Sequence, residues 1–245
     1  MSFDNGHDYS GNTNLEIISE NYRFNDWMFR QINKGLRETN GNVLEVGSGL
    51  GTFSDKIIQC KSPESKIILT DISDKYLRRL RQKYSSHKDV TVSRLDLDSS
   101  EDYGKIGYGM FSFIIALNVL EHIKDDQFAL QELHRMLQKD GLLVILVPCH
   151  KFLYNVIDVN VGHYRRYAKK ELLKKINMTH FYVERISYFN TLGIAGWYIN
   201  GNLWREPRIN RVASKWFDRL VPVLEYLDRI TFNITGLSLI CYLKK

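Results

Sequence analysis

The sequence predicts an open α/β fold in which a largely parallel sheet is covered by helices on both faces. Short apolar segments of strand length alternate with amphipathic segments of helix length, and this alternation is typical of such sheets. Three alternate glycines follow the first apolar segment, and acidic residues follow the next two. Because ligands of α/β proteins bind beyond the carboxyl ends of the strands, the same pattern predicts a ligand site at that edge.

The individual elements are predicted from the spacing of their apolar residues. Continuous or alternating apolar runs predict strands, whereas apolar residues at every third or fourth position predict helices. The predicted strands are residues 42–46, 66–70, 90–94, 111–117, 142–147, a segment near 181–188, and 238–243. The predicted helices are residues 52–60, 75–84, 125–138, with Gly141 as the stop, and 169–176.

The ends of this alternation and one long connection complete the domain organisation. Residues 1–14 are polar, lack the features of a signal peptide and predict a flexible tail. Residues 15–245 are expected to form one domain, with leading helices at 15–40 and a helical cap insertion at 190–235. The insertion is too long for a plain connection in a compact domain, which favours a lid or a binding surface.

Composition narrows the classes of function. The net charge of +6 favours anionic partners, and no run of apolar residues is long enough to predict a transmembrane segment. Cys60, Cys149 and Cys241 are widely spaced and form no CxxC pair. We therefore expect reduced thiols in a cytoplasmic protein and no metal site.

The most informative motif runs from Glu45 to Gly51 and has a glycine at every second position from Gly47. Glycine at a strand-to-helix turn admits a ligand against the main chain because it has no Cβ. Asp71 follows about twenty residues later, the separation expected of a carboxylate that accepts hydrogen bonds from ribose hydroxyls. Thr52 stands where a dinucleotide fingerprint has its third glycine, and no GKS or GKT follows. The spacing therefore predicts a nucleoside ligand without a phosphate chain.

These residues resemble the class I methyltransferases that use S-adenosylmethionine (SAM), whose first motif is an acid followed by GxGxG. Residues 118–123 after the fourth strand and 137–141 before the fifth strengthen the resemblance. The similarity is closer still to a bacterial branch of type 11/12/23-like methyltransferases, often encoded beside or fused to glycosyltransferases. The residues shared with that branch are Asn21, Tyr22, Trp27, Val147, Pro148, Leu153, Tyr154, the GHYRRY block at 162–167, Asn190, Gly193, Gly196, Trp197 and residues 236–239.

The resemblance implies a Rossmann-like sheet of seven strands in the order 3-2-1-4-5-7-6 with the last strand antiparallel, SAM as cofactor and S-adenosylhomocysteine as product. Glu45 and the glycine turn would line the methionine part of SAM, and Asp71 would hold the ribose. Asp96 and Leu97 would line the adenine, and Asn118 would flank the sulfonium. The full set of implied cofactor-binding residues is Tyr22, Glu45, Gly47, Ser48, Gly49, Gly51, Asp71, Ile72, Asp96, Leu97, Asn118, Val119 and His122.

His163, in the GHYRRY block, is the candidate catalytic base, because a hydroxyl or amine acceptor must lose a proton and neutral histidine accepts one near pH 7. The other interpretation of His163 is a hydrogen bond that orients the acceptor or braces the loop. The expected acceptor-binding residues are Trp27, Tyr154, Arg165, Arg166, Tyr167 and Trp197. The alternative interpretation of Trp27 is a core aromatic, and that of residues 165–167 is a solvated basic loop or a salt bridge into the domain.

The acceptor is expected to be a small molecule, a glycan or a lipid-linked compound that is methylated at oxygen or nitrogen. A nucleic acid is not favoured, because no (N/D)PP(Y/F) tetrad follows the fourth strand. A peripheral membrane contact through residues 190–232 is a further expectation, since that segment is basic and aromatic.

Two alternatives stay open at this point. The chain could be a non-catalytic SAM-binding partner of a glycosyltransferase, or a short-chain oxidoreductase that uses NAD(P). The YxxxK pair of such oxidoreductases occurs only at Tyr84 and Lys88, ahead of the third strand. Pro148 and Cys149 superficially resemble the nucleophile motif of cytosine-C5 methyltransferases, but they follow the fifth strand rather than the fourth.

Overall fold

The start of the domain lies earlier in the chain than the sequence pattern predicts. A computed structural model describes residues 11–37, 39–230 and 234–245. Helix α1 (Gly11–Ser19) includes residues 11–14, so the predicted tail is wrong for these four residues, and residues 1–10 lie outside the described ranges. Asn14 is buried, and its Oδ1 accepts a hydrogen bond of 3.0 Å from the backbone N–H of Ile209. This bond fixes α1 to the later insertion.

The described residues form one seven-stranded sheet. Its strands are β1 (Asn42–Val46), β2 (Ile67–Asp71), β3 (Val90–Arg94), β4 (Phe111–Leu117), β5 (Leu137–Pro148), β6 (Tyr182–Phe189) and β7 (Ser238–Lys244). The spatial order is β3-β2-β1-β4-β5-β7-β6, and β7 is antiparallel to both of its neighbours, which confirms the implied topology. Because β1 to β5 pair in parallel, their carboxyl ends lie along one edge.

Helices precede and connect the strands. They are α2 (Tyr22–Ile32), α3 (Ser54–Cys60), α4 (Asp74–Lys83), α5 (Ser100–Ile106), α6 (Asp126–Met136), α7 (Val156–Asn160) and α8 (Lys169–Asn177). The apolar spacing does not predict α5 and α7, which are only 7 and 5 residues long. Both begin at capping side chains, since Ser99 accepts the N–H of Asp102 and Asn155 accepts that of Ile157.

The junction between α6 and β5 differs from the prediction. The helix ends at Met136 and the strand starts at Leu137, so Gly141 lies inside the strand and does not stop the helix. The pairing of β5 with β4 changes register here. A Cβ on Gly141 would lie 2.9 Å from the carbonyl oxygen of Phe111. Glycine at this position therefore allows β5 to approach β4 closely where their pairing is irregular.

The central strands are buried on both faces. Phe113, Ile114 and Ile115 in β4 are each 0% exposed, although neighbouring side chains of a strand point to opposite faces. Ile114 belongs to one apolar cluster, and Phe113 and Ile115 belong to another. The two clusters explain why these strands are continuous apolar runs in the sequence.

The insertion between β6 and β7 is helical, as predicted. It contains α9 (Gly193–Tyr198), a π-helical segment (Ile199–Leu203) and α10 (Arg211–Ile230). Helix α10 packs against α2, where Oδ1 of Asp218 accepts the backbone N–H of Phe24 at 2.8 Å. Within the described ranges, no helix combines the length and apolar character needed to cross a bilayer.

Trp27 is part of this packing, which corrects the prediction that it contacts the acceptor. Its side chain is 2% exposed, and its ring centre lies 4.5 Å from that of Phe189 and 6.1 Å from that of Phe24. A side chain so enclosed presents no surface to a ligand. We therefore assign Trp27 to the core between α2 and the sheet.

Asp126, at the start of α6, joins two later segments, the GHYRRY block and α8. Its buried carboxyl accepts a hydrogen bond of 2.8 Å from the Tyr167 hydroxyl and pairs with Arg165 at 2.8 Å and Lys175 at 2.6 Å. Its neighbour Asp125 is exposed and only caps the helix, through the N–H of Phe128.

Replacing these two adjacent aspartates tests the network. Asp126→Ala should lower the free energy of unfolding by about 2 to 4 kcal/mol, because it leaves a buried hydroxyl and two cations without their partner. Asp125→Ala should cost about 1 kcal/mol, the contribution of a helix cap. Urea unfolding measures both, and equal losses would contradict the role of Asp126.

Candidate active site

The turn between β1 and α3 has a backbone conformation that glycine permits. The φ angles of Gly47, Gly49 and Gly51 are +73°, +51° and +74°, in the left-handed region. The turn is also closely packed. A Cβ on Gly47 would lie 2.6 Å from Cγ2 of Val119, and a Cβ on Gly49 would lie 3.3 Å from the side chain of Leu15. Side chains at these positions would therefore be strained or would clash.

Asp71, the last residue of β2, anchors this turn. Its Oδ2 accepts the backbone N–H of Gly49 at 2.8 Å, and its Oδ1 accepts that of Ser73 at 2.8 Å. Burial raises the pKa of Asp71, although these N–H donors act to lower it. A carboxylate offers about four acceptor positions, so the two bonds leave capacity for the predicted ribose hydroxyls.

Glu45, near the end of β1, is a buried carboxyl beside the start of α3. Its Oε2 accepts a hydrogen bond of 2.5 Å from the Ser54 hydroxyl. Burial raises the pKa of Glu45 to about 7, against the opposing effect of that hydrogen bond. Near neutral pH the group therefore exists in both protonation states, and a cationic ligand group would favour the carboxylate.

The other predicted cofactor residues follow the strand ends. Ser48 is buried in the glycine turn, and Ile72 is exposed after β2. Asp96, partly buried, and Leu97, buried, follow β3. Asn118 follows β4 directly, with a φ of +51° that marks a sharp turn. The strand order thus brings together residues that are far apart in sequence.

From the leading helices, Leu15 rather than Tyr22 contacts the glycine turn. Tyr22 is 74% exposed at the start of α2, whereas Leu15 of α1 lies against Gly49. One leucine in a short helix is not a distinctive sequence signal, so spacing alone could not identify this contact.

His163, the candidate base, lies in a cluster of titratable groups. Its Nδ1 is 2.7 Å from Oδ1 of Asp158, and its Nε2 is 3.8 Å from Oε1 of Glu121. The ring of His122 meets that of His163 edge to face, with centres 4.7 Å apart. Glu121, His122 and His163 each place one atom able to bind a metal within 4.8 Å of the others.

Asp158, which the sequence analysis does not identify, organises this cluster. Its fully buried carboxylate accepts the single Nε–H of Arg166 in a bifurcated hydrogen bond, 2.9 Å to each oxygen, and a hydrogen bond of 3.3 Å from Nε1 of Trp197. Burial by itself would raise the pKa of Asp158, but the His163 hydrogen bond and the Arg166 charge hold it below its usual value. When the Nδ1–H of a neutral His163 is donated to this carboxylate, Nε2 is left as the proton acceptor.

Burial also alters the protonation of the two groups that adjoin His163. In the described part of the chain, the carboxyl oxygens of Glu121 have no hydrogen-bond partner, and burial raises the pKa of this group to about 7. Burial lowers the pKa of His122 to about 4, so His122 is neutral at pH 7. Such perturbed groups in one place are typical of acid–base sites.

The arginines and the last tyrosine of the GHYRRY block hold the loop in place. Arg166 and Tyr167 are buried, and they bond to Asp158 and Asp126 respectively. The prediction that Arg166 and Tyr167 contact the acceptor is therefore wrong, because both are enclosed and internally paired. Arg165 is more exposed, but it also pairs with Asp126.

Tyr154 and Trp197 border the histidine cluster, and their acceptor role stays a prediction. The Tyr154 hydroxyl donates a hydrogen bond of 2.7 Å to the backbone carbonyl of His163 and is partly solvent-facing. Trp197 is partly buried, and the Arg166 guanidinium lies 4.6 Å from its ring centre.

Two alternative functions, an NAD(P) oxidoreductase and a cytosine-C5 methyltransferase, would require Tyr84 and Cys149, which are both buried and internally bonded. Tyr84 is buried with its hydroxyl donated to Asp55 at 2.8 Å, so it cannot serve an oxidoreductase with Lys88. Cys149 is also buried, and its Sγ donates to the carbonyl of Gly236 at 2.8 Å. Burial raises the pKa of this thiol to about 12, which excludes an available thiolate nucleophile near neutral pH.

Glu45→Gln tests the buried carboxyl beside the glycine turn. The pKa of Glu45 in the fold, about 7, lies above its ordinary value of 4.5, so its contribution to stability is present below pH 4.5 and is lost as the pH rises through 7. The free energy of unfolding of the wild type should therefore fall relative to that of E45Q by about 3 kcal/mol across this range. Urea unfolding at several pH values measures the difference, and parallel profiles would refute it.

Comparison with known proteins agrees with this geometry. Residues 44–143 match a family model described as a methyltransferase domain. Among curated proteins, the chain is 28% identical over 146 residues to probable polyketide synthase 42 of Dictyostelium discoideum, covering 52% of this chain and 5% of that protein. Probable polyketide synthase 29 of the same organism is 27% identical over 208 residues, with coverages of 71% and 6%. The chain thus spans only 5% to 6% of the length of these relatives.

Solved structures extend the likeness to nearly the whole chain. An S-adenosylmethionine-dependent methyltransferase from Mesorhizobium loti has a TM-score of 0.62 and 15% identity, covering 89% of this chain and 98% of that one. Geranyl diphosphate C-methyltransferase from Streptomyces coelicolor A3(2), solved with Mg²⁺, geranyl diphosphate and S-adenosylhomocysteine, has a TM-score of 0.66 and 12% identity, with coverages of 99% and 87%. Phosphoethanolamine N-methyltransferase 2 from Haemonchus contortus, solved with SAM, has a TM-score of 0.62 and 15% identity, with coverages of 95% and 57%. The described chain has the Rossmann-like fold of these methyltransferases, and residues 44–143 match a methyltransferase domain in sequence.

Proposed function

We propose that the protein is a SAM-dependent methyltransferase that acts on oxygen or nitrogen of a small-molecule, glycan or lipid-linked acceptor. The observation that carries this proposal is the left-handed glycine turn whose Gly49 N–H is fixed by the Asp71 carboxyl. The methyltransferase match over residues 44–143 supports it. The SAM and S-adenosylhomocysteine complexes of the similar structures support the choice of cofactor.

The residues at the turn fit SAM better than a dinucleotide. The left-handed glycines give the turn a shape that residues with side chains rarely adopt, and Asp71 keeps acceptor capacity for a ribose. Thr52 replaces the glycine that packs a helix under a pyrophosphate. The carboxylate of Glu45 would pair with the α-ammonium group of the methionine part of SAM, because a nearby cation stabilises the ionised form of this buried group.

SAM supplies a methyl group already activated on a positive sulfonium, so the protein must chiefly orient the acceptor and accept its proton. We assign the second task to His163, whose Nδ1 is bonded to Asp158 and whose Nε2 points towards Glu121. Tyr154 and Trp197 border this cluster and are the residues we assign to acceptor contact.

Asp71→Ala tests cofactor binding by calorimetry with S-adenosylhomocysteine. The variant should bind about 10- to 100-fold more weakly, because bonds to a charged carboxylate contribute about 1.5 to 3 kcal/mol. Asp98→Asn is the matched control, since Asp98 is exposed on the loop after β3 and should bind as the wild type does. An unchanged affinity of the Asp71 variant would reject the cofactor assignment.

His163→Asn tests catalysis separately from binding. The protein is incubated with methyl-deuterated SAM and extracts of glycans, lipids and metabolites, and labelled products are identified by mass spectrometry. The turnover of H163N should fall by about 10²- to 10⁴-fold, the usual contribution of a general base, with S-adenosylhomocysteine affinity unchanged. His134→Asn, a change at a histidine far along α6 from the cluster, should leave turnover intact.

Further arms of this assay address the remaining alternatives. Reactions with EDTA and with Mg²⁺ or Mn²⁺ show whether the Glu121, His122 and His163 cluster needs a cation. Cofactor binding without any labelled product would favour the non-catalytic partner of a glycosyltransferase instead. Equal turnover of H163N and the wild type would remove His163 from the mechanism.

A further inference from the structure

The side of α10 that faces solvent carries a row of apolar side chains, which we call the α10 stripe. Its members recur every three or four residues and are between 51% and 66% exposed: Val212, Trp216, Leu220, Val223, Tyr226 and Ile230. The opposite side of the helix, which includes Val221 and Leu224, is buried against the domain. An apolar surface of this length marks an interaction site, because monomeric proteins rarely expose one.

The basic and acidic side chains of α10 lie on different sides of the helix. Lys215 and Arg219 are exposed beside it, and the Arg219 guanidinium lies 5.0 Å from the ring centre of Trp216. The acidic side chains are turned towards the protein: Asp218 accepts a backbone N–H of α2, and Glu225 pairs with an arginine of α2. The outer surface of the helix is therefore apolar and cationic.

The segment before α10 has a similar composition, with one exposed acid, Glu206, among its apolar and basic residues. Leu203 and Trp204 are 63% and 72% exposed, and the exposed Arg205 and Arg208 follow them. Tryptophan with arginine and lysine around an apolar helix face is the composition of helices that lie in the headgroup region of anionic bilayers. A second copy of the chain fits less well, because a symmetric contact through the stripe would bring like charges together.

We propose that α10 lies flat on an anionic lipid surface, with the α10 stripe inserted at the headgroup boundary. The contact is peripheral, since none of the described helices can cross a bilayer. It is independent of methyl transfer, and vesicle binding can therefore succeed or fail whatever the outcome of the cofactor experiments.

Flotation with two kinds of vesicle tests the proposal on the full chain. One kind contains phosphatidylcholine alone, and the other also contains phosphatidylglycerol. The wild type should bind the phosphatidylglycerol vesicles more strongly, and added salt should weaken that binding. The double variant L220S/V223S should bind at least about tenfold more weakly, because it removes two inserted apolar side chains.

The matched control is M178S/Y182S, which also replaces two exposed apolar residues but outside the insertion. It should bind vesicles as the wild type does, and circular dichroism verifies that both variants are folded. The proposal is overturned if the wild type ignores anionic vesicles or if both double variants lose binding equally. Sedimentation tests the other occupant. If the wild type is a dimer that L220S/V223S dissociates, and it does not bind vesicles, the stripe is a contact with a second copy of the chain.

Discussion

The carboxyl of Asp71 is the link on which the candidate site depends, because it joins the end of β2 to the backbone of the glycine turn after β1. Gly49 must donate its N–H to this carboxyl while it holds a left-handed backbone conformation. Val119, after β4, then packs where a side chain on Gly47 would stand. Three neighbouring strand ends are thus held together around one short loop.

A second buried carboxylate organises the other side of the proposed active site. Asp158 collects donors from His163, Arg166 and Trp197, so one acidic group fixes the loop, the candidate base and the helical insertion. Removing its charge would leave a buried arginine unpaired, which explains why the GHYRRY block needs an acid that lies outside the block. The proposed cofactor half and the proposed acceptor half of the site each rely on a buried carboxylate that accepts hydrogen bonds from nearby donors.

Sequence patterns predicted the sheet well, because buried parallel strands leave continuous apolar runs and the glycine turn has a distinctive spacing. The cofactor residues that the resemblance implies lie along one edge of the sheet, since parallel strands end there, and their contact with SAM stays a prediction. The acceptor-contact predictions that the structure corrects failed because the true partners of those side chains are distant in sequence. The sequence suggests Arg166 and Tyr167 as ligand contacts because their partners lie elsewhere in the chain. Arg166 pairs with the buried Asp158, and Tyr167 bonds to the buried Asp126. The sequence also suggests Trp27 as a ligand contact, because Phe189, the ring against which it packs, is distant in sequence.

A crystal structure with S-adenosylhomocysteine tests the central claim most directly. We expect both ribose hydroxyls to lie within about 2.6 to 3.2 Å of the Asp71 carboxylate, with the Gly49 N–H bond to that carboxylate preserved. This expectation would be contradicted if the nucleoside bound elsewhere, or if the glycine turn held the pyrophosphate of a dinucleotide.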